Sequence, residues 1–322
     1  MKLRSCRNRL SINLIFLQRP RNTLIKSAAG VAEVAGSSAK EVSVKEYKRA
    51  DLHMHSIFSD GVLTPEELAK KAYDNGVELI SLTDHDETAG LERMKDAASE
   101  LGMDFVTGCE VSTDFAHVPI HIVGLNFDQK NEALQNLLKD IRAKRFNRAL
   151  KMAEKFEELG LHGALEGARE QAANSMLLAR PHFADWLVKI GKAEDRQDAF
   201  RKWVGTGKPA YVPRETTPIA AAVRAISDAG GIPVLAHPGR YPLKRWAFDE
   251  MFAQFTAAGG KAFEVTTGSH KPGQAEIYAK MAEKLGFWVS TGSDFHFEGS
   301  PAQLGLQGDL PSNLDPVWRH FS

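Results

Sequence analysis

From Arg49 onward, short apolar runs alternate with amphipathic helical stretches, and this alternation limits the fold more than any other feature of the chain. Runs of strand character cover residues 50–55, 78–83, 104–111, 117–125, 232–236, 261–266 and 287–291. Between them, 65–75, 89–101, 218–229 and 273–285 carry helical periodicity and end near glycine. Thr64-Pro65-Glu66-Glu67 opens the first helix well: a capping threonine, proline at the first position and acids in the first turn. Strands alternating with helices imply parallel βαβ units. About 274 residues follow the first 48, close to the ~250 typical of a (β/α) barrel. A two-layer open sheet is the alternative.

Residues 131–207 break the alternation. They read as wholly helical, over 131–159, 164–173, 182–190 and 195–203, and predict a helical insertion between the fourth and fifth strands. Trp186, Phe200 and Trp203 recur there at helical spacing, as the core of a small helical unit would require.

The zero net charge of the 322 residues conceals a split. Residues 1–48 hold ten Lys/Arg against three Glu, leaving a net charge of −7 on the rest. This basic, acid-poor start reads as a disordered leader or an unused upstream start, with an organelle-import segment as the alternative. The acidic remainder disfavours stable binding of long nucleic acid, where phosphate contacts dominate affinity. Two distant cysteines, Cys6 and Cys109, exclude a disulfide scaffold, and no apolar run reaches the roughly eighteen residues of a membrane span. These features predict a cytoplasmic globular protein. The oligomeric state is not legible.

Histidines and carboxylates gather at the strand ends. Asp51-Leu52-His53-Met54-His55 closes the first strand, and its two imidazoles leave the same face. Asp60 follows in a Ser-Asp-Gly turn. Thr83-Asp84-His85-Asp86 ends the second strand, Glu110 the third and His237-Pro238-Gly239 the fifth. The seventh runs out into Asp294-Phe295-His296, while His121 falls mid-strand in the fourth. In a parallel barrel those ends meet at one mouth. Any single histidine is more readily explained as a satisfied, half-buried polar residue. Six of eleven converging with several carboxylates point instead to a metal site, because unpaired polar groups in a concave site are costly. His/Asp/Glu donors without cysteine favour manganese, iron or zinc in an open, catalytic site. Cys109 reads as a buried strand residue.

Five separated motifs arrive in one order: Asp51-Leu52-His53-Met54-His55-Ser56, Thr83-Asp84-His85-Asp86, Gly108-Cys109-Glu110-Val111-Ser112, His237-Pro238-Gly239 and Gly292-Ser293-Asp294-Phe295-His296. Together they resemble the polymerase-and-histidinol-phosphatase (PHP) metal-dependent phosphoesterases, over nearly all of residues 49–322. His121-Ile122-Val123-Gly124, Arg180-Pro181-His182-Phe183, Pro209-Ala210-Tyr211-Val212-Pro213 and Gly268-Ser269-His270 resemble the branch of 3',5'-nucleoside bisphosphate phosphatases and 5'-to-3' exoribonucleases. The resemblance implies a distorted seven-stranded (β/α) barrel, formed by 49–130 and 208–322 around the insertion 131–207, with two to three divalent ions. Position by position, it implies that His53, His55, Glu110 and Asp294 hold a first ion. Glu110 would bridge to a second held by His121 and His237, and Asp60, His85 and His296 would hold a third. Manganese is the expected metal, with zinc, iron(II) or magnesium as alternatives.

The sequence has no nucleophile elbow and no Gly-rich phosphate loop with Lys-Ser/Thr. A water activated at bridging metals is the remaining nucleophile, with Glu110 and Asp294 as the catalytic carboxylates that orient it. Asp51, Asp84 and Asp86 are candidates for orienting the ligand imidazoles. The substrate's remaining charge calls for cations. Arg180 and His182 at a turn of the insertion, Lys208 at its exit, Arg240 after His237, and His270 are the candidates. Arg180 is the strongest, because a guanidinium offers phosphate a bidentate fork. The expected substrate is a 3',5'-bisphosphonucleotide that loses its 3'-phosphate, together with short 5'-phosphorylated RNA. A phosphatase for another small ester, such as histidinol phosphate, and a non-catalytic metal-binding module are the competing expectations.

Overall fold

The structure is a computed structural model, described here for residues 45–172, 174–175 and 177–321. Thr64 caps α1 (Pro65–Asp74) as the sequence predicts, in a full capping box with Glu67. This helix links β1 (Ala50–Asp51) to β2 (Leu79–Ile80), and α2 (Leu91–Glu100) links β2 to β3 (Asp104–Phe105). The three strands pair in parallel, β1-β2-β3. Their regular ladders are only two residues long, because the chain beyond each pair turns to other partners. Leu52 N–H donates to Thr291 O at 3.0 Å, and His55 N–H to Phe295 O at 2.9 Å.

The predicted strand 104–111 is two strands. The chain leaves β3, and β4 (Gly108–Phe115) joins a second sheet, ordered β4-β5-β6-β7-β8. Ala116 and His117, both at positive φ, make the tight turn that folds β5 (Val118–Leu125) back antiparallel to β4. β6 (Ile232–Leu235) is antiparallel to β5, whereas β7 (Ala262–Thr267) and β8 (Trp288–Gly292) run parallel to it. The described barrel is therefore distorted: the third of its seven expected strands is divided between two sheets, and β5 runs antiparallel to its neighbours. It closes through the contacts of residues 52–55 with residues 291–295, and through the His85–Glu110 bridge between the sheets. Gly292 permits the first closure, since a Cβ there would lie 2.2 Å from His53 Cβ and 2.7 Å from His53 N.

The insertion lies between β5 and β6. It comprises α3 (Glu132–Glu158), α4 (Ala164–Arg169), α5 (Arg180–Lys189) and α6 (Arg196–Ala199), followed by a π-helical turn at Phe200–Val204. α3 serves both parts of the molecule. Leu134, Leu138 and Ile141 pack into the barrel core, while Met152 and Phe156 pack with Phe183 and Trp186 in the insertion. Phe200 and Trp203 lie against that second cluster, as expected of core residues. Removing the fully buried Phe156 ring would cost about 3–5 kcal/mol. Residues 45–321 form one compact unit in which barrel and insertion are continuous.

After the insertion come α7 (Ile219–Asp228), α8 (Arg245–Ala257) and α9 (Gln274–Leu285). The sequence reading omits α8, although Phe248, Met251, Phe252 and Phe255 give it an apolar face. Most of the basic leader lies outside the described residues. Its last residues belong to the barrel: Lys45 pairs with Asp104, and Tyr47 meets Trp318 edge-on at 6.0 Å. No helix among the described residues is long and apolar enough to cross a membrane.

Candidate active site

Glu110 is the centre of the site because β4 carries it, fully buried, into the barrel mouth. Its Oε1 lies 2.8 Å from His121 Nδ1, 3.0 Å from His237 Nε2 and 3.4 Å from His53 Nε2. Its Oε2 lies 2.8 Å from His85 Nδ1 and 3.4 Å from His55 Nε2. Asp294 Oδ1 stands 3.5 Å from His55 Nε2 and 3.7 Å from both His53 Nε2 and His296 Nδ1. Asp60 faces His296 at 3.4 Å, with His55 and His85 each at 3.7 Å. All nine predicted ligands converge.

Their grouping differs in detail from the expectation. The donor atoms form four sets: His53, His55 and Glu110; His85, Glu110 and His121; His53, His237 and Asp294; and His55, Asp60, His85 and His296. His121 thus shares a set with His85, and His237 joins His53 and Asp294. His121 reaches the mouth from mid-strand because β5 runs antiparallel, so that its N-terminal half is the one at the mouth.

The residues fit divalent cations. His53 Nε2, His55 Nε2, His85 Nδ1 and Glu110 Oε2 are buried without a hydrogen-bond partner among the described residues, yet all face one another. Each such atom costs about 1–3 kcal/mol if unsatisfied. Four collected at one point describe a cation cage. Electrostatics agree. Burial alone would raise Glu110, but the imidazoles of His121, His85 and His53 hold it well below the carboxylate range. Asp60 is held well below the carboxylate range by His85 and His296. Burial works against the charge on His85 too, yet Glu110 and Asp60 keep it at about 9. His55 falls to about 3, through burial and then the neighbouring His296 and His85. A cation bound among these groups would compete with the proton that His85 holds.

The surrounding backbone is held in unusual conformations. Asp294 (φ +58°), His237 (φ +25°) and Asp86 (φ +54°) all lie in the left-handed region, and such positions cluster at functional sites. Asp294 N–H donating to His53 O at 2.8 Å fixes the first of them.

The outer carboxylates correct the sequence reading. Asp51 accepts from Ser293 N–H and Gly305 N–H at 2.8 and 2.7 Å, so it ties loops rather than imidazoles. Asp84 binds Ser56 and Ser59, and reaches His55 only through Ser59 Oγ, 3.4 Å from Nδ1. Asp86 binds Ser112 and Arg145. The residue that does orient an imidazole is Glu264, which the sequence reading missed. Buried in β7, it sets Oε1 2.7 Å from His53 Nδ1 and accepts His237 N–H at 2.6 Å. A carboxylate only accepts, so the hydrogen sits on Nδ1 and Nε2 faces the cluster. A lone charge within the apolar run Phe263-Glu264-Val265 was the signal. Glu264→Gln should weaken metal binding about tenfold to a hundredfold, read by titrating manganese into chelator-stripped protein. Unchanged affinity would remove Glu264 from the site.

A cleft of about 360 Å³ is lined by Asp60, His85 and His121 together with Arg145, Arg148, Arg180 and Arg214. A second cavity of about 750 Å³ shares Arg148, Arg180 and Arg214 with it. Arg180 is the first residue of α5, its guanidinium 5.4 Å from the Phe200 ring and 5.8 Å from that of Tyr211. Burial, then Arg180 and Arg214, push Arg148 down to about 10. Neither Arg148 nor Arg180 has a carboxylate partner among the described residues. Arg142, Arg145 and Arg148 fall three apart on α3, and that spacing was the overlooked sequence signal.

The other substrate candidates divide. Arg240 Nη1 lies 2.5 Å from Asp294 Oδ2, at the mouth. His182 caps α5 by accepting Ala179 N–H at 3.1 Å through Nδ1, bracing the turn that carries Arg180. His270 accepts Gly239 N–H at 3.3 Å and stacks on Tyr278, bracing the loop after β6. Lys208 is exposed and lines neither cavity, although its neighbours Thr206 and Tyr211 line the second. Cys109 is buried and free, its thiol pushed up by burial.

A closed α/β barrel whose mouth gathers histidine and carboxylate ligands beside a cationic cleft defines a metal-dependent phosphoesterase. The PHP domain model matches residues 51–190. A 5'-3' exoribonuclease from Haemophilus influenzae is 39% identical over 274 residues, 85% of this chain and 99% of that protein. A 3',5'-nucleoside bisphosphate phosphatase from Chromobacterium violaceum is 40% identical over 272 residues, 84% of this chain and 95% of that protein. Among solved structures, an amidohydrolase from Chromobacterium violaceum with bound sulfate and no metal superposes with a TM-score of 0.76 at 40% identity, covering 85% of this chain and 95% of that one. The chain belongs to the PHP family.

Proposed function

We propose that this enzyme removes the 3'-phosphate from 3',5'-bisphosphonucleotides and trims short 5'-phosphorylated RNA from its 5' end. The observation that carries the proposal is one cleft with two kinds of lining, metal-type ligands together with Arg148 and Arg180, which have no carboxylate partner among the described residues. A substrate with one phosphate would leave those arginines unused. His53, His55, Glu110 and Asp294, with His85, His121, His237, Asp60 and His296, would hold the ions. Divalent ions bound there activate water and neutralise phosphate oxygens. Glu110 and Asp294 place their charges where the reacting phosphate enters. Arg180 and Arg148 grip the 5'-phosphate, and Arg240 faces the substrate from beside Asp294. The imidazole-rich donor set favours manganese over magnesium, and the nucleotide substrate favours a cytoplasmic site of action. The relatives named above act on such substrates.

Arg180→Ala tests the reading. A charge-assisted contact to phosphate is worth roughly 1.5–3 kcal/mol, so kcat/KM for bisphosphonucleotides should fall about tenfold to a hundredfold. Simple monophosphates should be nearly unaffected, and Arg180→Lys should recover only part, lacking the planar fork. Equal loss on both substrate classes would assign Arg180 to the fold or to the scissile phosphate.

A further inference from the structure

Resting on the exoribonuclease half of that reading, we propose that Lys244, Arg245 and Trp246 form the rim along which single-stranded RNA downstream of the scissile phosphate leaves the site. The chemistry demands such an exit. When a 5'-terminal nucleotide is released, the water oxygen bonds to phosphorus, the P–O3' bond breaks and O3' takes a proton. The rest of the chain keeps the phosphate on its own 5'-oxygen. The terminal nucleotide occupies the arginine cleft, on the side of Asp60, His85 and His121. The downstream chain must leave by another wall of the mouth.

The wall of His237 and Asp294 offers that route. Arg240, held to Asp294, begins the connection from β6 to α8, and a helix that follows a barrel strand starts at the level of the mouth. Trp246 lies in the first turn of α8 and is 71% exposed, the highest value among the described large hydrophobic residues. Lys244 is exposed with no carboxylate partner among the described residues, and Arg245 meets Asp249 only at the surface. From Arg240 to Trp246 the chain holds three cations and no acid.

The platform is braced before any ligand arrives. Tyr241 Oη accepts His121 N–H at 3.0 Å and donates to Ala236 O at 2.9 Å. Gln274 holds Gly239 O at 3.2 Å. An exposed indole flanked by cations is what stacks an unpaired base while meeting its phosphates, without preference for sequence.

The test compares the full-length, manganese-loaded protein with Trp246→Ala and Lys244→Glu, on a 3',5'-bisphosphonucleotide and on 5'-phosphorylated oligoadenylates of increasing length. Trp246→Ala should raise KM for the oligonucleotides about tenfold, leave the bisphosphonucleotide within about twofold, and be largely rescued by Trp246→Phe. Lys244→Glu should act the same way and more strongly at low salt. Unchanged RNA cleavage in both variants overturns the rim and leaves the proposed function standing. Equal loss on both substrates overturns it in favour of a structural role. A lower mass of Trp246→Ala by light scattering, with RNA kinetics unchanged, makes the rim a contact between copies of this chain. If the unaltered protein cleaves the bisphosphonucleotide but no RNA, the exoribonuclease reading itself fails.

Discussion

Replacing Glu110 with glutamine should lower turnover about a thousandfold and leave the protein folded. The substitution keeps volume and shape but removes the one charge that five imidazoles approach within 3.4 Å. Charge stabilisation at a metal cluster is worth several kcal/mol, and about 4 kcal/mol corresponds to roughly three powers of ten in rate. The fold should survive because Glu110 touches the ligands and not the apolar clusters that hold the barrel. Asp294→Asn should act in the same direction, and it also frees Arg240 from its partner. Steady-state kinetics with a thermal melt on each variant separates the two quantities. Near-normal turnover in Glu110→Gln would mean that the two donor sets containing Glu110 do not share this carboxylate in the working enzyme.

Chelation should abolish activity and lower the melting temperature together. Ions that bind the folded chain and not the unfolded one stabilise it by about 2.7 kcal/mol at a hundredfold excess over Kd. For about 275 folded residues that is a shift on the order of 5 °C. The sign is firm, because removal returns the buried, partnerless donors of His53, His55, His85 and Glu110 to an unsatisfied state. Manganese should restore both quantities at least as well as magnesium, which prefers oxygen ligands. Full activity in protein shown to be metal-free would overturn the assignment.

Much of this site was legible in the sequence because its parts are local. Two residues apart on a strand share a face, so His53 and His55 were paired before any fold was known. The α/β alternation and the helical insertion follow from periodicity, and the nine candidate ligands from the resemblance that the ordered motifs carry. Substrate contacts were harder. Lys208 and His270 were plausible cations near the right segments, but nothing local says that the first lines neither cavity and that the second ring braces a loop.

What the sequence determined alone is which residues are candidates to bind: six histidines, Glu110, Asp60 and Asp294 for metal, and Arg180 in a helical insertion for substrate. What the tertiary structure decided is how they combine. It split residues 104–111 into strands of different sheets, reversed β5 so that mid-strand His121 reaches the mouth, and set Glu264 behind His53 across 211 residues of chain. It also collected Arg145, Arg148, Arg180 and Arg214 around one cleft. The reason is physical. Side-chain periodicity reports the face of a single element, whereas strand direction and partner depend on backbone hydrogen bonds between segments far apart, and those bonds form only when the barrel closes.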